Sequence, residues 1–436
     1  MTALKIGTQA ERKVGIMTDS AGADRPVVTG IGVVAPTGIG TAEHWRATLD
    51  GRSGIGYIDR FDPASYPVRH AGRLRGFAAE DHLPGRLLVE TDLWTQTGLV
   101  ASHEALADAA LDPATVPEFE MAVLTSSSSG GVEFGQREMA SLWQNGPRIS
   151  AYQSIAWFYA ATTGQLAIRH GMRGACGVIC AEQAGGLDTL GHARKFTAGD
   201  TKVVVAGGTD APLCPYSLVA QLSNGRLSTE PDPRRAYLPF DEAASGYLPG
   251  EGGAILIVEG NRAHRERGAA HSYGEVAGYA AGMDPRPGSP RPPALARVIR
   301  AALADAGLGP GDVDVVFADA AGSPADDLLE ARAITEVFGA RAVPVTAPKT
   351  LVGRLYGGGA ALDVATALLA LRDGVIPHTA GTTRLAPGCD IDLVRSAPRE
   401  AALTSALVLA RGYGGFTSAL VLRKTEPDGT NQGAHR

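Results

Sequence analysis

Residues 177–193, GVICAEQAGGLDTLGHA, have the layout of a catalytic elbow. A short apolar run reaches Ala181, a Gly-containing turn follows, and an amphipathic helical pattern begins near Ala184. Enzymes place nucleophiles at such turns because the helix N-terminus stabilises an anion and the turn lifts the side chain into a pocket. The apex residue here is Gln183, whose amide is neither nucleophile nor base, although it can donate and accept hydrogen bonds. By itself the segment reads as a helix capped by Gln183. Gly30-x-Gly32-x-x-Ala35 formally fits a dinucleotide fingerprint, but Pro36 and Thr37 impose a turn where the motif needs a helix start, so a strand and turn are expected. SSSSGG, Ser126–Gly131, follows the strand pattern AVLT and has the donors of a phosphate cradle without its lysine. A tight turn beside a cavity is the better expectation. Cys176 and Cys180 flank a strand on one face with no further ligand nearby, and are expected to be small buried hydrophobes instead of metal ligands.

The chain that must position these residues has 436 of them, enough for two subdomains or one duplicated fold. With 44% hydrophobic and 20% charged residues the composition is globular, and 40 basic against 46 acidic side chains leave no positive field for nucleic acid. Four cysteines form neither a disulfide framework nor a zinc pattern, which suggests a reducing compartment. No apolar run approaches the roughly 18 residues that span a bilayer and no signal peptide is evident, so no membrane association and a cytoplasmic location are expected. Residues 1–25 and 426–436 are expected to be a flexible extension and tail.

Short apolar runs alternate with helical patterns, as in Pro26–Val34 then Ala42–Leu49, which predicts α/β layers with buried strands. Further strands are expected at Met121–Leu124, Gly177–Cys180, Lys202–Ala206 and Ala254–Val258. The pattern then restarts, with helices at Ala294–Ala306, Asp326–Val337 and Leu362–Arg372, a strand at Val313–Ala318, and a hairpin of Ala406–Leu409 with Ser418–Leu422. Leu187-Asp188 and Leu362-Asp363 occupy matching helical stretches, with Gly199 and Gly374 equally far behind them. Each half closes with a Gly-rich turn into an apolar strand. These matches predict a duplication, with halves at 26–260 and 261–425 divided near Gly260. The Pro-rich stretch Met283–Pro293 is either a linker or a loop of the second half.

From Pro26 to Lys424 the chain resembles the β-ketoacyl synthases of the thiolase fold. The resemblance rests on VVTGIGVVAPTGIG, the helix Gly185–Ala193, YLPFDEAASGYLPGEGGAILIVE, KTLVGRLYGGGAALD and GYGGF, in that order. It implies a duplicated αβαβα five-layer architecture. It also places that family's cysteine at Gln183, its first histidine at Asp319 of DAAGSPADD and its second at Arg354 of KTLVGR, while the motif lysine is kept as Lys349. Gly412, Tyr413, Gly414 and Gly415 fall on the turn near the pocket. An anionic Asp319 cannot donate to a developing enolate, and without a thiolate there is no covalent loading, so chain extension at Gln183 is excluded. Asp319 and Arg354 are expected to neutralise each other as an ion pair.

Glutamine at the cysteine position is similar to the chain length factors, or ketosynthase β subunits, of type II aromatic polyketide synthases. That likeness implies a heterodimer with a ketosynthase α subunit, with Gly177–Ala181 near the partner and a product tunnel along the interface. It implies no bound cofactor or metal, the acyl and malonyl units arriving on the phosphopantetheine of a transient acyl carrier protein. It maps a chain-length gate onto Val132, Gly135 and Met139 of GGVEFGQREM, which the helical period sets on one face. Without aromatic rings on that face, a long product is expected. The main basic docking surface for the carrier is assigned to the partner, with Arg234-Arg235 and Arg262, Arg265 and Arg267 as auxiliary patches. Two rival functions are a malonyl-carrier decarboxylase that primes the partner through Gln183, and an autonomous thiolase-like acyltransferase using Cys180. The apolar strand around Cys180 argues against the second.

Overall fold

The computed structural model describes residues 25–269 and 271–425, so the extension and tail expected at 1–25 and 426–436 fall, Arg25 apart, outside the described residues. Ten strands carry the architecture. Five come from the first part of the chain: β1 (Val27–Ala35), β2 (Met121–Ser126), β3 (Cys176–Ile179), β4 (Val203–Asp210) and β5 (Gly252–Glu259). Five come from the second: β6 (Gly274–Met283), β7 (Val315–Phe317), β8 (Pro344–Thr346), β9 (Ser405–Arg411) and β10 (Phe416–Arg423). The first set is ordered β1-β5-β4-β2-β3 and the second β6-β10-β9-β7-β8. In both, the first three strands are antiparallel neighbours and the last three are parallel. Identical order and polarity in two successive sets of strands is the duplication foreseen from the Leu-Asp pairs. A short pairing of Val27 with Glu275 and Val28 with Gly274 joins the two sets edge to edge.

The helices are α1 (Leu93–Asp108), α2 (Val132–Asn145), α3 (Ala161–His170), α4 (Gly185–Thr197), α5 (Leu295–Ala306), α6 (Pro324–Phe338) and α7 (Gly359–Asp373). α4 and α7 follow the third strand of their respective sets, pack on each other and touch both sheets, forming the central layer. α1 and α3 cover the outer face of the first sheet and α5 and α6 that of the second, which completes five layers. Strand periodicity explains the layering. In β5, Ala254, Leu256 and Val258 face the central layer, while Ile255 and Ile257 face α1. In β9, Ala406, Val408 and Ala410 point inward and Leu407 and Leu409 outward. α7 is buried from Gly359 to Leu371, as a helix sandwiched between two sheets must be.

One expectation requires correction and one open alternative is resolved. Cys176 and Cys180 are exposed, not buried. Among the described residues β3 is the outermost strand of its sheet and pairs only with β2, and an apolar sequence does not reveal that one edge of a strand lacks a neighbour. Met283–Pro293 is a loop of the second half, not a linker: Asp284 receives Ala294 N–H at 2.6 Å and donates its own N–H to Gly415 O at 2.8 Å. Among the described residues no helix is long and apolar enough to cross a membrane.

Candidate functional site

The elbow forms where β3 ends. Glu182, Gln183 and Ala184 make one tight helical turn before α4, and Glu182 adopts φ 50°, a left-handed conformation that non-glycine residues seldom take. That conformation turns Glu182 outward, where its carboxylate accepts Tyr413 N–H at 2.8 Å. Gln183 turns inward and is 1% exposed. Among the described residues its amide oxygen and nitrogen have no hydrogen-bond partner, so it caps no helix. The amide lies against the start of α7, where a methyl group on Gly359 would come within 2.2 Å of Nε2. Gln183 therefore fills the gap between the two central helices, and a methyl group at 359 would displace its amide.

Asp319 and Arg354, which the resemblance sets at histidine positions, meet in the expected ion pair. Arg354 Nη2 donates to Asp319 Oδ1 at 3.1 Å and Nη1 to Oδ2 at 3.2 Å, with side chains 4% and 1% exposed. The remaining guanidinium hydrogens reach Asp319 O at 3.1 Å and Arg411 O at 2.9 Å, and the Tyr247 ring lies 5.4 Å from the guanidinium carbon. Asp319 also accepts Arg411 N–H at 3.0 Å. Burial works against the ionised Asp319 carboxyl, but Arg354 and then Lys349 outweigh it and hold the group below the usual carboxylate range. Behind this pair, Glu330 accepts the N–H groups of Asp319 and Ala320 at 2.7 and 2.8 Å. Burial, then the Asp319 charge, pushes Glu330 up to about 7. Lys349 Nζ sits 2.7 Å from Asp363 Oδ2 in a buried charge contact whose angle departs from hydrogen-bond geometry.

A cavity of about 520 Å³ opens above the ion pair. Asp319, Arg354, Arg411 and Glu182 line it, with Gly412–Gly415 and Met283–Pro287 at its mouth. Arg226 rests over the Tyr413 ring at 5.6 Å. Gln183 does not line this cavity. The arrangement holds matched charges but offers no thiolate and no neutral donor pair aimed at a bound acyl group.

The SSSSGG segment is a cradle whose anion is internal. Asp210, at the end of β4, accepts the Ser127 hydroxyl at 2.7 Å, the N–H groups of Ser128 and Ser129 at 2.8 and 3.1 Å, the Ser129 hydroxyl at 2.8 Å and Gly357 N–H at 2.7 Å. Nothing in the sequence pointed to Asp210, because its donors lie more than 80 residues away. The only signal was a donor-rich loop lacking an acceptor.

Val132, Gly135 and Met139 share one face of α2, away from this cavity. Val132 is half-buried, Gly135 buried and Met139 53% exposed. The space above Gly135 is taken by Trp157, with Cδ1 2.8 Å from where a Cβ would stand. A ring-sized side chain is thus present at this level, supplied by another segment. Cys180 is exposed, but partial burial of its thiol and then Asp210 raise its pKa, which disfavours the thiolate. Arg267 is not a free docking group: it binds Glu259 at 2.7 and 3.0 Å and the carbonyls of Ala109 and Ala110 at 3.0 and 3.1 Å.

Comparison with known proteins matches residues 24–263 to the β-ketoacyl synthase N-terminal domain and residues 273–383 to the β-ketoacyl synthase C-terminal domain. The tetracenomycin polyketide synthase ketoacyl synthase beta subunit of Streptomyces glaucescens is 59% identical over 400 residues, covering 91% of this chain and 98% of that one. Among solved structures, the ishigamide ketosynthase/chain length factor superposes with a TM-score of 0.85 at 26% identity, over 93% of this chain and all of the other. A type II polyketide synthase acyl carrier protein in complex with its ketosynthase bound to the hexaketide gives a TM-score of 0.84 at 26% identity, over 92% of this chain and 100% of that one. With its duplicated layers, its glutamine at the elbow and its buried Asp319–Arg354 ion pair, the chain belongs to the β-ketoacyl synthase family, in the ketosynthase β-subunit branch.

Proposed function

We propose that the protein is a chain length factor, a condensation-inactive subunit that pairs with a ketosynthase α subunit in the cytoplasm and shapes the channel in which a poly-β-ketone grows. The observation that carries this reading is the state of the three chemical positions. A partnerless amide stands where a thiolate would attack, and a closed, buried ion pair stands where two donors would polarise a thioester. Bond formation then belongs to the partner, which receives acyl and malonyl units on the phosphopantetheine of a carrier protein. The bare edge of β3 supports pairing, because an outer parallel strand with unpaired backbone groups is a template for a second chain. Ile168 stands exposed on α3, the helix that packs against β3, and adds apolar surface there. On this reading Val132, Gly135 and Met139 face the growing chain.

The test is reconstitution with the ketosynthase α subunit of the tetracenomycin synthase, malonyl-loaded carrier protein and mass-spectrometric product analysis. The pair is expected to elongate and the chain alone is not, and Gln183→Cys is not expected to confer elongation, because Asp319 and Arg354 still lack a neutral donor. Elongation by the chain alone would overturn the reading. A second reading, decarboxylative priming through Gln183, is favoured by the unsatisfied amide, which has both a donor and an acceptor to spare. It weighs less because Gln183 is sealed from the cavity. Gln183→Ala separates the two: unchanged priming removes the amide from the chemistry.

A further inference from the structure

The α2 sequence alone describes an open face, with a glycine in the middle. In the folded chain that glycine is a slot. Gly131 N–H donates to Trp157 O at 3.2 Å, and a Cβ on Gly131 would lie 2.0 Å from Ala156 O and 2.7 Å from Trp157 Cα. These contacts clamp the segment carrying Trp157 onto the first turn of α2. One turn on, the pyrrole edge of Trp157 enters the space that Gly135 leaves, with Cδ1 2.8 Å and Nε1 3.1 Å from the position of the absent Cβ. The rest of the indole is open, the residue being 49% exposed. A helical face whose middle position lacks a side chain, covered by a half-exposed ring from a neighbouring segment, presents that ring to whatever runs along it.

We propose that Trp157 is the specificity-determining ring at this level of the channel, and that residue 135 acts by seating it. The proposal rests on the assignment of the α2 face to the growing chain. It follows that size at 135 and size at 157 trade against each other. A bulky residue at 135 expels the indole toward the partner side, and a small residue at 157 lengthens the channel without any change on α2.

The test uses the reconstituted heterodimer, with association followed by size-exclusion chromatography and product length by mass spectrometry. W157A is expected to shift the products to longer chains by one or more two-carbon units, and W157F to stay near the wild-type length. G135F is expected to lose heterodimer or product, and G135F/W157A to regain both, because the new ring takes the vacated slot. M139W, which adds bulk on the same face without touching the slot, is expected to shorten the product. An intact W157A heterodimer with wild-type products, alongside a shortened M139W product, overturns the role of Trp157 and leaves the channel assignment standing. No change in either variant overturns both. If W157A fails to associate, the double variant decides: recovery by G135F/W157A supports the slot, and failure of the double variant overturns it.

Discussion

Replacing either partner of the Asp319–Arg354 pair should be costly, and replacing both should not cost the sum. The pair is bidentate, with N–O distances of 3.1 and 3.2 Å and side chains 4% and 1% exposed. Arg354→Met leaves a buried carboxylate with Arg411 N–H as its remaining close donor. Asp319→Asn keeps an acceptor but leaves a buried guanidinium held by two carbonyls and the Tyr247 face. Breaking one side of a buried pair costs about 3–5 kcal/mol. Additive singles would therefore remove about 6–10 kcal/mol, as much as a typical domain's whole stability. The double variant D319N/R354M buries no unpaired charge and should cost about 3–5 kcal/mol, a coupling of about 3–5 kcal/mol. Urea unfolding at neutral pH, followed by fluorescence and circular dichroism with coincident transitions required, measures each term. Because the folded value of Asp319 lies below its unfolded value, its contribution is complete above about pH 4 and is lost as pH falls through the lowered folded value. Strictly additive singles, or a single variant costing under about 1 kcal/mol, would refute the argument that the pair neutralises a vacated catalytic pocket.

Three further outcomes follow from the same geometry. Gly359→Ala forces a methyl group to within 2.2 Å of Gln183 Nε2 and should destabilise by about 1–3 kcal/mol, with rescue by Gln183→Ala in a thermal melt of the double variant. Gln183→Met removes two unsatisfied buried polar atoms and should raise stability by about 1–3 kcal/mol in chemical denaturation; a loss would mean that the amide is hydrogen-bonded. Burial pushes Asp327 up to about 8 and Glu330 up to about 7, so the folded chain holds these protons longer than the unfolded chain. Stability should then rise as pH falls from about 8 toward about 6, and Asp327→Asn should flatten the upper part of that rise, read from urea midpoints across the window.

The duplication was legible in advance because it is written in a repeated local pattern. Leu187-Asp188 and Leu362-Asp363 sit on the two central helices, and both aspartates bind residues from other elements: Asp188 the hydroxyls of Tyr279 and Ser418, and Asp363 the ammonium of Lys349. That residue 183 supplies no thiolate was equally legible, since it depends on residue type alone. The burial of Cys176 and Cys180 was misread because periodicity reports which faces of a strand are apolar and not where that strand stands in the sheet order.

Residue identity by itself excluded a thiolate at 183 and placed opposite charges at 319 and 354, because protonation chemistry belongs to the side chain wherever it is put. Only the tertiary structure decided what those side chains touch. The acceptor for the serine loop lies in another strand, the partner of Gln183 is a bare glycine in the second half, and the ring over Gly135 comes from a separate segment. Each of these depends on close packing between elements far apart in the chain, where a fraction of an ångström determines which side chain fits, and no local pattern carries that information.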